Sequence, residues 1–554
     1  MKNTKLWILK ERKSEDLIEQ ILLNRDIPKK DWDNFLNPNF NSGLHDPFKL
    51  SDMEKAVQRI KRAILEKEIV GIFGDYDADG IPASALLSNA LEKYYGLKTI
   101  TYIPSRKEGY GLNKQGIDFL KKQGVSLLIT CDLGIREVAD TEYSRGQGID
   151  VIITDHHEPG NEIPKAIAVI DPKRKASKYP FRELSGGGVV FKLLQALAKK
   201  LGKISENDLK WMLDLVGITT ICDVVPLIDE NRILAKFGLV VLQKTKNLGL
   251  RKLYQAAAIS PENIDTYSVS FQIGPRLNAP GRMDHANESF YLLRSQEPEE
   301  AKKLAEKLNK INQTRQAELD RILKEARTKV IDGNLHRKKV IFVVGDWPSG
   351  LVGLVAGKIT EEFARPSLVF EKGSKFSKGS ARSVDGFDLV EALEESKNIL
   401  ENYGGHSKAA GMTVLNEKLS KLYDKLLVIA EHKLKEKDLV PRIKIDAFVE
   451  ESDLKLSVLE KIKKLEPFGL GNPRPVLAMK NIAAQNVRTI GNENKHLRFD
   501  INNIKVIGFD WGWAKEIVEN KKIDLAFTLD EDNWDGVRKV ELKVVDIKLS
   551  GRRF

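Results

Sequence analysis

Between residues 68 and 171 the chain alternates short, β-branched apolar runs with amphipathic stretches of helical period. EIVGIFG, KTITYIP, SLLITC, DVIITD and AIAVID read as buried strands, PASALLSNALEKYY and NKQGIDFLKKQG as helices, and a further polar helix precedes DVIITD. This alternation predicts a parallel sheet with helices on both faces, an α/β architecture. Ligands of such sheets bind beyond the carboxyl ends of the strands. There, EIVGIFG runs into Asp75, Asp77 and Asp79, SLLITC into Asp132, and DVIIT into Asp155, His156 and His157. Further on, DLKWMLDLVGITTICDVVPL has helical spacing and delivers Asp223 from apolar surroundings, where a carboxylate needs a partner.

The remaining pattern divides the 554 residues into five parts. Residues 1–50 carry short helical patterns and read as an appendage packed on the α/β domain of 51–295. EPEEAKKLAEKLNKINQTRQAELDRILKEARTKVI predicts one long, largely exposed helix over 296–331. A second α/β domain follows over 332–437, with strands KKVIFVVG and SLVF and the glycine-rich GGHSKAAG. In 438–554, KHLRFDIN, IKVIGFD, IDLAFTL and KVELKVVDIKL keep strand period and predict a small OB-like β-barrel. Phe499, Phe509, Trp511, Trp513 and Trp534 lie there among basic residues, which suits base stacking as well as a barrel core.

Composition narrows the class. With 42% hydrophobic and 31% charged residues, no apolar run of membrane-spanning length and no signal-like start, a cytoplasmic enzyme is expected. Cys131 and Cys222 are too few for a disulfide framework or a thiolate zinc site. Lys and Arg number 90 against 79 Asp and Glu, a net +11 that favours a polyanionic partner. No G-x-x-x-x-G-K-[ST] loop occurs, so ATP-driven unwinding is not expected.

Local acid in a basic chain points to a metal site. GDYDADG opens like a calcium loop, but the twelfth position is Leu86 and a strand precedes it, so calcium storage is not expected. Asp75, Asp77, Asp79, Asp132, His156, His157 and Asp223, gathered at one sheet edge, repel unless divalent cations neutralise them. Oxygen donors with one or two imidazoles suit Mn2+ or Mg2+, and the ligand count suggests two ions. A pair of ions activates water and stabilises a leaving oxygen, as phosphodiester hydrolysis requires.

GDYDADG, TCDLGI, TDHHEP and ICDVVPL resemble, in order, the four motifs of the DHH phosphoesterase superfamily, and KGSARS and YGGHSKAAG resemble its DHH-associated second domain. Within it the chain is most similar to the RecJ family of single-strand-specific 5′ to 3′ DNA exonucleases, to which IPSRKEGYGL, FQIGPRLNAPGRM, VPLIDENR and LEPFGLGNPRPVL also conform. The likeness covers nearly the whole chain. It implies Asp77, Asp79, Asp132, His156 and Asp223 as metal ligands, Asp75 as a ligand or close support, and His157 directed at substrate. Arg106, Arg276, Asn278, Arg282, Ser380, Arg382, Gly405 and His406 fall in motifs expected to hold DNA phosphates. It further implies release of 5′-mononucleotides, a role in DNA repair and recombination, and a single-strand-binding protein and a RecQ-type helicase as partners; the chain itself is expected to be a monomer. One departure is DWPSGLVGLVAG, where Pro348 and Ser349 follow Trp347 in place of the histidine of a W-H-P-G-like segment. Two other functions stay open at this level: a phosphoesterase for short oligoribonucleotides or cyclic dinucleotides, and a non-catalytic DNA-end-binding scaffold.

Overall fold

The computed structural model of the chain describes residues 5–106, 108–283, 285–533 and 536–551. They form two compact units, one of Arg25–Gln313 with Glu460–Arg474, the other of the chain up to Asn24, Thr314–Leu459 and the chain from Pro475. No helix among the described residues is long and apolar enough to cross a membrane.

The first unit holds the expected parallel sheet. Its strands are β1 (Ile69–Gly74), β2 (Lys98–Tyr102), β3 (Val125–Cys131), β4 (Asp150–Thr154) and β5 (Ala168–Ile170), paired in the order β2-β1-β3-β4-β5. Alternate residues enter two cores: Val70, Ile72, Leu127, Ile129 and Cys131 lie on one face, Phe73, Leu128, Val151 and Ile153 on the other. Burial on both faces explains why these strands read as continuous apolar runs. Strand order reverses between β1 and β3, which makes their carboxyl ends the switch point of the sheet. Helices α1 (Gly80–Tyr95), α2 (Gly186–Leu201) and α3 (Leu213–Cys222) supply the rest of the site's frame.

The LEPFGLGN segment also packs in this unit. The Arg232 guanidinium, 2% exposed, donates to the carbonyls of Phe35, Lys464, Leu465 and Glu466, and Leu227 N–H donates to Leu470 O at 2.7 Å. Four carbonyl acceptors let the buried cation persist without a carboxylate partner.

The second unit contains β6 (Ile341–Gly345), β7 (Ser367–Lys372), β8 (Phe376–Arg382), β9 (Leu400–His406) and β10 (Ala409–Leu415), in the order β9-β10-β8-β7-β6. Only β6 and β7 run parallel. Seven strands between Ala447 and Leu549 form the last sheet, with Phe499 fully buried in it and Phe509 and Trp513 57% and 49% exposed. Trp511 stacks on Trp513 at 5.3 Å. Trp534 lies outside the described residues.

The N-terminal segment departs from expectation. Leu6–Leu9 pairs in parallel with Arg442–Ile445, and Trp7 Nε1 donates to Asp546 at 2.7 Å, so residues up to Asn24 belong to the second unit. Phe40 and Leu50 do join the core of the first. The long helix, Pro298–Asp332, places Ala305 and Leu308 in the first unit's core and Ile322, Leu323, Ala326 and Val330 in a core of the second.

Candidate metal centre and substrate-contact residues

The acidic residues line up because the sheet ladder continues one residue past each strand. Asp75 N–H donates to Cys131 O at 3.3 Å, Asp132 N–H to Thr154 O at 3.0 Å, and Asp155 N–H to Ile170 O at 3.1 Å. Asp132 bends away in the left-handed region at φ 67°, which short polar side chains tolerate. Asp223 arrives from the carboxyl end of α3, followed by Val224 at φ 58°, a strained conformation for a β-branched residue.

Seven predicted residues thereby meet. Three overlapping groups, Asp132–His156–His157, Asp79–His156–Asp223 and Asp75–Asp77–Asp132, each have ligand atoms within 4.8 Å of one another. His156 Nε2 stands 3.0 Å from Asp132 Oδ1, 3.5 Å from Asp223 Oδ2 and 3.7 Å from Asp79 Oδ2. Two ligand atoms about 2.1 Å from a common cation at a right angle lie about 3 Å apart, so this spacing fits a shared ion. Asp75 Oδ1, Asp132 Oδ1 and His156 Nε2 are buried without a hydrogen-bond partner, as expected of atoms that ligate.

Electrostatics agree. Burial, then the charges of Asp79, Asp77 and Asp223, hold the Asp132 carboxyl well above its usual range; burial and Asp77 do the same for Asp75, and burial, Asp79 and Asp77 for Asp223. Asp79 is pushed up to about 7 by burial and Asp77, against the N–H groups of Gly187 and Gly186. Burial, reinforced by charged His157, drops His156 to about 3, so it is a neutral imidazole with a lone pair to give. His157 goes the other way. Burial opposes its charge, but the Asp155 carboxylate 2.8 Å from Nδ1 outweighs it and lifts His157 to about 9. Divalent cations relieve the carboxylate repulsion, and the donor set of hard oxygens plus imidazole fits Mn2+ or Mg2+.

Three supports carry little signal in the sequence. Asp155 is legible there only as part of a charged strand end; it accepts from the backbone N–H of Ile135, His156 and His157 as well as from the His157 ring. Gly186 and Gly187, the opening of α2, donate to Asp79 Oδ2 and Oδ1 at 2.7 and 2.8 Å, so the helix amino end grips both carboxylate oxygens. A Cβ on Gly186 would lie 2.5 Å from Asp132 Cβ, and one on Gly187 2.4 Å from Thr219 Oγ1. Tyr110 Oη stands 3.2 Å from His157 Nδ1 and donates to Asp132 O. Asp77 turns one oxygen inward to the N–H groups of Asp79 and Gly80. Cys131 is buried in the apolar core and its thiol is raised to about 12, chiefly by burial. Cys222 packs partly buried against the same core.

Of the predicted phosphate contacts in this unit, Arg106 lies 4.3 Å above the Tyr76 ring of GDYDADG and donates to Gly281 O at 2.8 Å. This ties the metal loop to the helix Gly274–Met283, which carries Arg276, Asn278 and Arg282. Arg276 donates to Asn309 Oδ1 and Gln272 O. In the second unit the strand register does the gathering: Arg382 pairs with Ala409 and Ala409 with His406, while Ser380 pairs with Gly411 and Gly411 with Gly404. Directly paired residues share a sheet face, so Ser380, Arg382 and His406 stand together with small residues between them. GGHSKAAG is thus a hairpin, in which Gly405 at φ 146° leaves no room for a Cβ against Ala409 O. The departing segment DWPSGLVG borders this face: a Cβ on Gly353 would lie 3.0 Å from Ser380 Oγ and 3.4 Å from Arg382 Nη2.

Comparison with known proteins gives this arrangement its family. A DHH family N-terminal domain matches residues 69–220, a DHHA1 domain 337–436 and a RecJ OB domain 445–546. The chain is 38% identical over 520 residues to the single-stranded-DNA-specific exonuclease RecJ of Bacillus subtilis, covering 92% of this chain and 65% of that one. It is 30% identical over 529 residues to that of Escherichia coli, covering 90% of each. The chain belongs to the RecJ family. Its fold matches the crystal structure of RecJ in complex with Mn2+ from Thermus thermophilus with a TM-score of 0.83 and 26% identity, over 99% of this chain and 81% of that one. The RecJ architecture of a parallel-sheet DHH domain, a DHHA1 domain and a C-terminal OB domain is the architecture found here.

Proposed function

We propose that this RecJ-family chain is a Mn2+- or Mg2+-dependent exonuclease that hydrolyses single-stranded DNA from the 5′ end. The observation that carries the reading is His156 Nε2 set among three carboxylates at 3.0–3.7 Å, itself without a hydrogen-bond partner and in an uncharged ring. Asp77, Asp79, Asp132, His156 and Asp223 hold two ions, with Asp75 ligating or supporting them. When bound, the ions supply an acidified water and neutralise charge on the phosphate. His157, protonated at neutral pH through Asp155, turns Nε2 to the scissile phosphate and donates to its developing charge. Gly186 and Gly187 keep Asp79 from rotating, so its ligand oxygens are preorganised. Arg106, Arg276, Asn278 and Arg282 on one unit, and Ser380, Arg382, Gly405 and His406 on the other, hold the strand's phosphates.

Polarity, release of 5′-mononucleotides and work in DNA repair and recombination follow from family membership. A cytoplasmic location, a monomeric state and partnership with a single-strand-binding protein and a RecQ-type helicase belong to the same proposal. The test is a time course of product lengths from 5′- and 3′-labelled single strands, with Mn2+, Mg2+ or chelator. Release of 5′-labelled mononucleotide first, only with metal, is expected. Prior loss of the 3′ label, or cleavage confined to dinucleotides, would overturn the reading.

A further inference from the structure

Among the described residues a two-stranded sheet stands apart from the three larger ones: Leu6–Leu9 runs parallel to Arg442–Ile445, with Leu6 beside Arg442 and Ile8 beside Lys444. Paired residues share a face, so its two faces differ in kind. Trp7, Ile443 and Ile445 turn inward to a small core with Ala478 and Ala526. Leu6, Ile8, Arg442 and Lys444 turn outward; Leu6 and Ile8 are 39% and 36% exposed, and Leu9 at the strand end 50%. Three exposed aliphatic side chains in four residues cost solvation free energy.

The backbone of this strand is open as well. Leu6 N–H donates to Pro441 O at 2.8 Å, so in a parallel ladder Leu6 and Ile8 bond to the neighbouring strand, while Trp7 and Leu9 turn their N–H and C=O groups to the other edge. No third strand pairs with that edge among the described residues. An unpaired apolar edge is a template for another strand, and the charge around it selects which. Lys5 and Lys10 flank LWIL, and Arg12 and Lys13 follow. In an antiparallel pairing of two copies of this edge, Lys5 of one would meet Lys10 of the other; a parallel pairing would set each lysine beside its counterpart. Both arrangements oppose like charges. Arg442 reaches Asp438 at 3.4 Å, whereas Lys444 forms no ion pair among the described residues. The edge therefore rejects its own copy and suits an acidic strand.

Neighbouring strands lie about 4.8 Å apart, so a third strand runs about 10 Å from Arg442 and Lys444, within the joint reach of a long cation and a glutamate. We propose that the open edge of Leu6–Leu9 docks an extended segment of a partner protein in which acidic residues alternate with apolar ones. Its backbone pairs with Trp7 and Leu9. Its acidic side chains lie on the outward face, stems against Leu6 and Ile8 and carboxylates towards Arg442 and Lys444, and its apolar residues meet Leu9 on the inward face. No residue of this surface belongs to the metal centre, so docking and hydrolysis are separable.

The full chain is titrated into a fluorescein-labelled decapeptide of alternating glutamate and valine, with a lysine–valine decapeptide as control, and anisotropy is read. Saturable binding of the acidic peptide and none of the basic one are expected. Leu9→Pro removes an N–H that the ladder does not use, and Lys444→Glu reverses a charge on the outward face; each is expected to weaken the acidic peptide at least about tenfold, and Lys444→Arg to retain it. Nucleotide release from a single-stranded 20-mer and cooperative melting should match the wild type in all three variants. Acidic peptides N-methylated at the valines or at the glutamates make the same test from the ligand side, and one of the two should fail to bind. Binding that survives both N-methylations, or that Lys444→Glu lowers and Leu9→Pro leaves intact, overturns strand pairing in favour of a charge patch open to any polyanion, nucleic acid included. No saturable binding by wild type, or equal binding of the acidic and basic peptides, overturns the proposal outright. A sedimentation mass that doubles with concentration, and does not in Leu9→Pro, assigns the edge to a second copy of the chain and overturns the acidic partner.

Discussion

Asp155→Asn removes the charge that keeps His157 protonated. The substitution preserves size and removes the negative charge 2.8 Å from His157 Nδ1, and leaves one oxygen where the carboxylate uses two, one for Ile135 N–H and the other for His156 N–H, His157 N–H and the His157 ring. In the wild type His157 is raised from 6.5 to about 9, a shift of about 2.5 units, and at about 1.36 kcal/mol per unit this is roughly 3 kcal/mol in favour of the imidazolium. Burial pulls the other way, and bound cations cancel the lift that Asp223 and Asp79 also give, so without Asp155 the ring of the metal-loaded enzyme should titrate at or below 6.5. At pH 7.5 only about a tenth of the variant then carries the proton, against nearly all of the wild type. The expected result is a loss of about tenfold or more in kcat/KM at pH 7.5, shrinking as pH falls towards 6, with the alkaline limb of the pH profile moved from near 9 to 6.5 or lower. The sign carries over to folding: the stabilisation from charged His157 is complete below 6.5 and fades as pH rises through about 9, and the variant lacks it. Profiles measured at saturating Mn2+ decide the matter. An alkaline limb still near 9 in Asp155→Asn would refute the role given to this carboxylate.

Other outcomes follow from single contacts. Gly187→Ala drives a Cβ to 2.4 Å from Thr219 Oγ1 and displaces an N–H from Asp79; a cost of about 1–3 kcal/mol in thermal or urea unfolding and weaker Mn2+ binding are expected, read by melting and by metal titration. Lys192 and Glu230 form an ion pair with no side-chain exposure, so Lys192→Met strands a buried carboxylate at roughly 3–5 kcal/mol, whereas Lys192→Met with Glu230→Gln should recover much of it in urea denaturation. Asp79 has its folded pKa raised to about 7, so its contribution is complete below the ordinary carboxylate range and is lost as pH rises through 7. Chelated protein should therefore melt higher at pH 5 than at pH 8, and Mn2+ should flatten that slope.

Much of the first unit is legible in the sequence because its signals are local. A strand buried on both faces is a continuous apolar run, and the residue after it is where a parallel sheet presents ligands, so periodicity alone puts Asp75, Asp132 and His156 at the carboxyl edge of the sheet. Asp223 needs only a helical period. The supports are hidden because they depend on which strand ends up beside which: Asp155 becomes the partner of His157 through the turn beyond β4, and Gly186 reaches Asp79 across 107 positions of sequence. A triple glycine carries no mark of the carboxylate it holds. The parallel pairing of Leu6–Leu9 with Arg442–Ile445 is equally non-local, which is why local pattern assigns the amino-terminal segment to the wrong neighbour. GGHSKAAG is compatible by composition with a helix entry or a phosphate approach, and the pairing of Gly404 with Gly411 and His406 with Ala409 makes it a hairpin, whose second strand pairs with Ser380 and Arg382.

The carboxylates and His156 form one divalent-cation centre, on which the proposed hydrolysis depends. Counting bound Mn2+ per chain by electron paramagnetic resonance in wild type and in Asp132→Ala, with nucleotide release followed in the same samples, tests it most directly. Two ions per wild-type chain, fewer in an Asp132→Ala protein that still melts cooperatively, and no release from that variant are predicted. An Asp132→Ala protein that binds Mn2+ like the wild type, or releases nucleotides at a comparable rate, would contradict it.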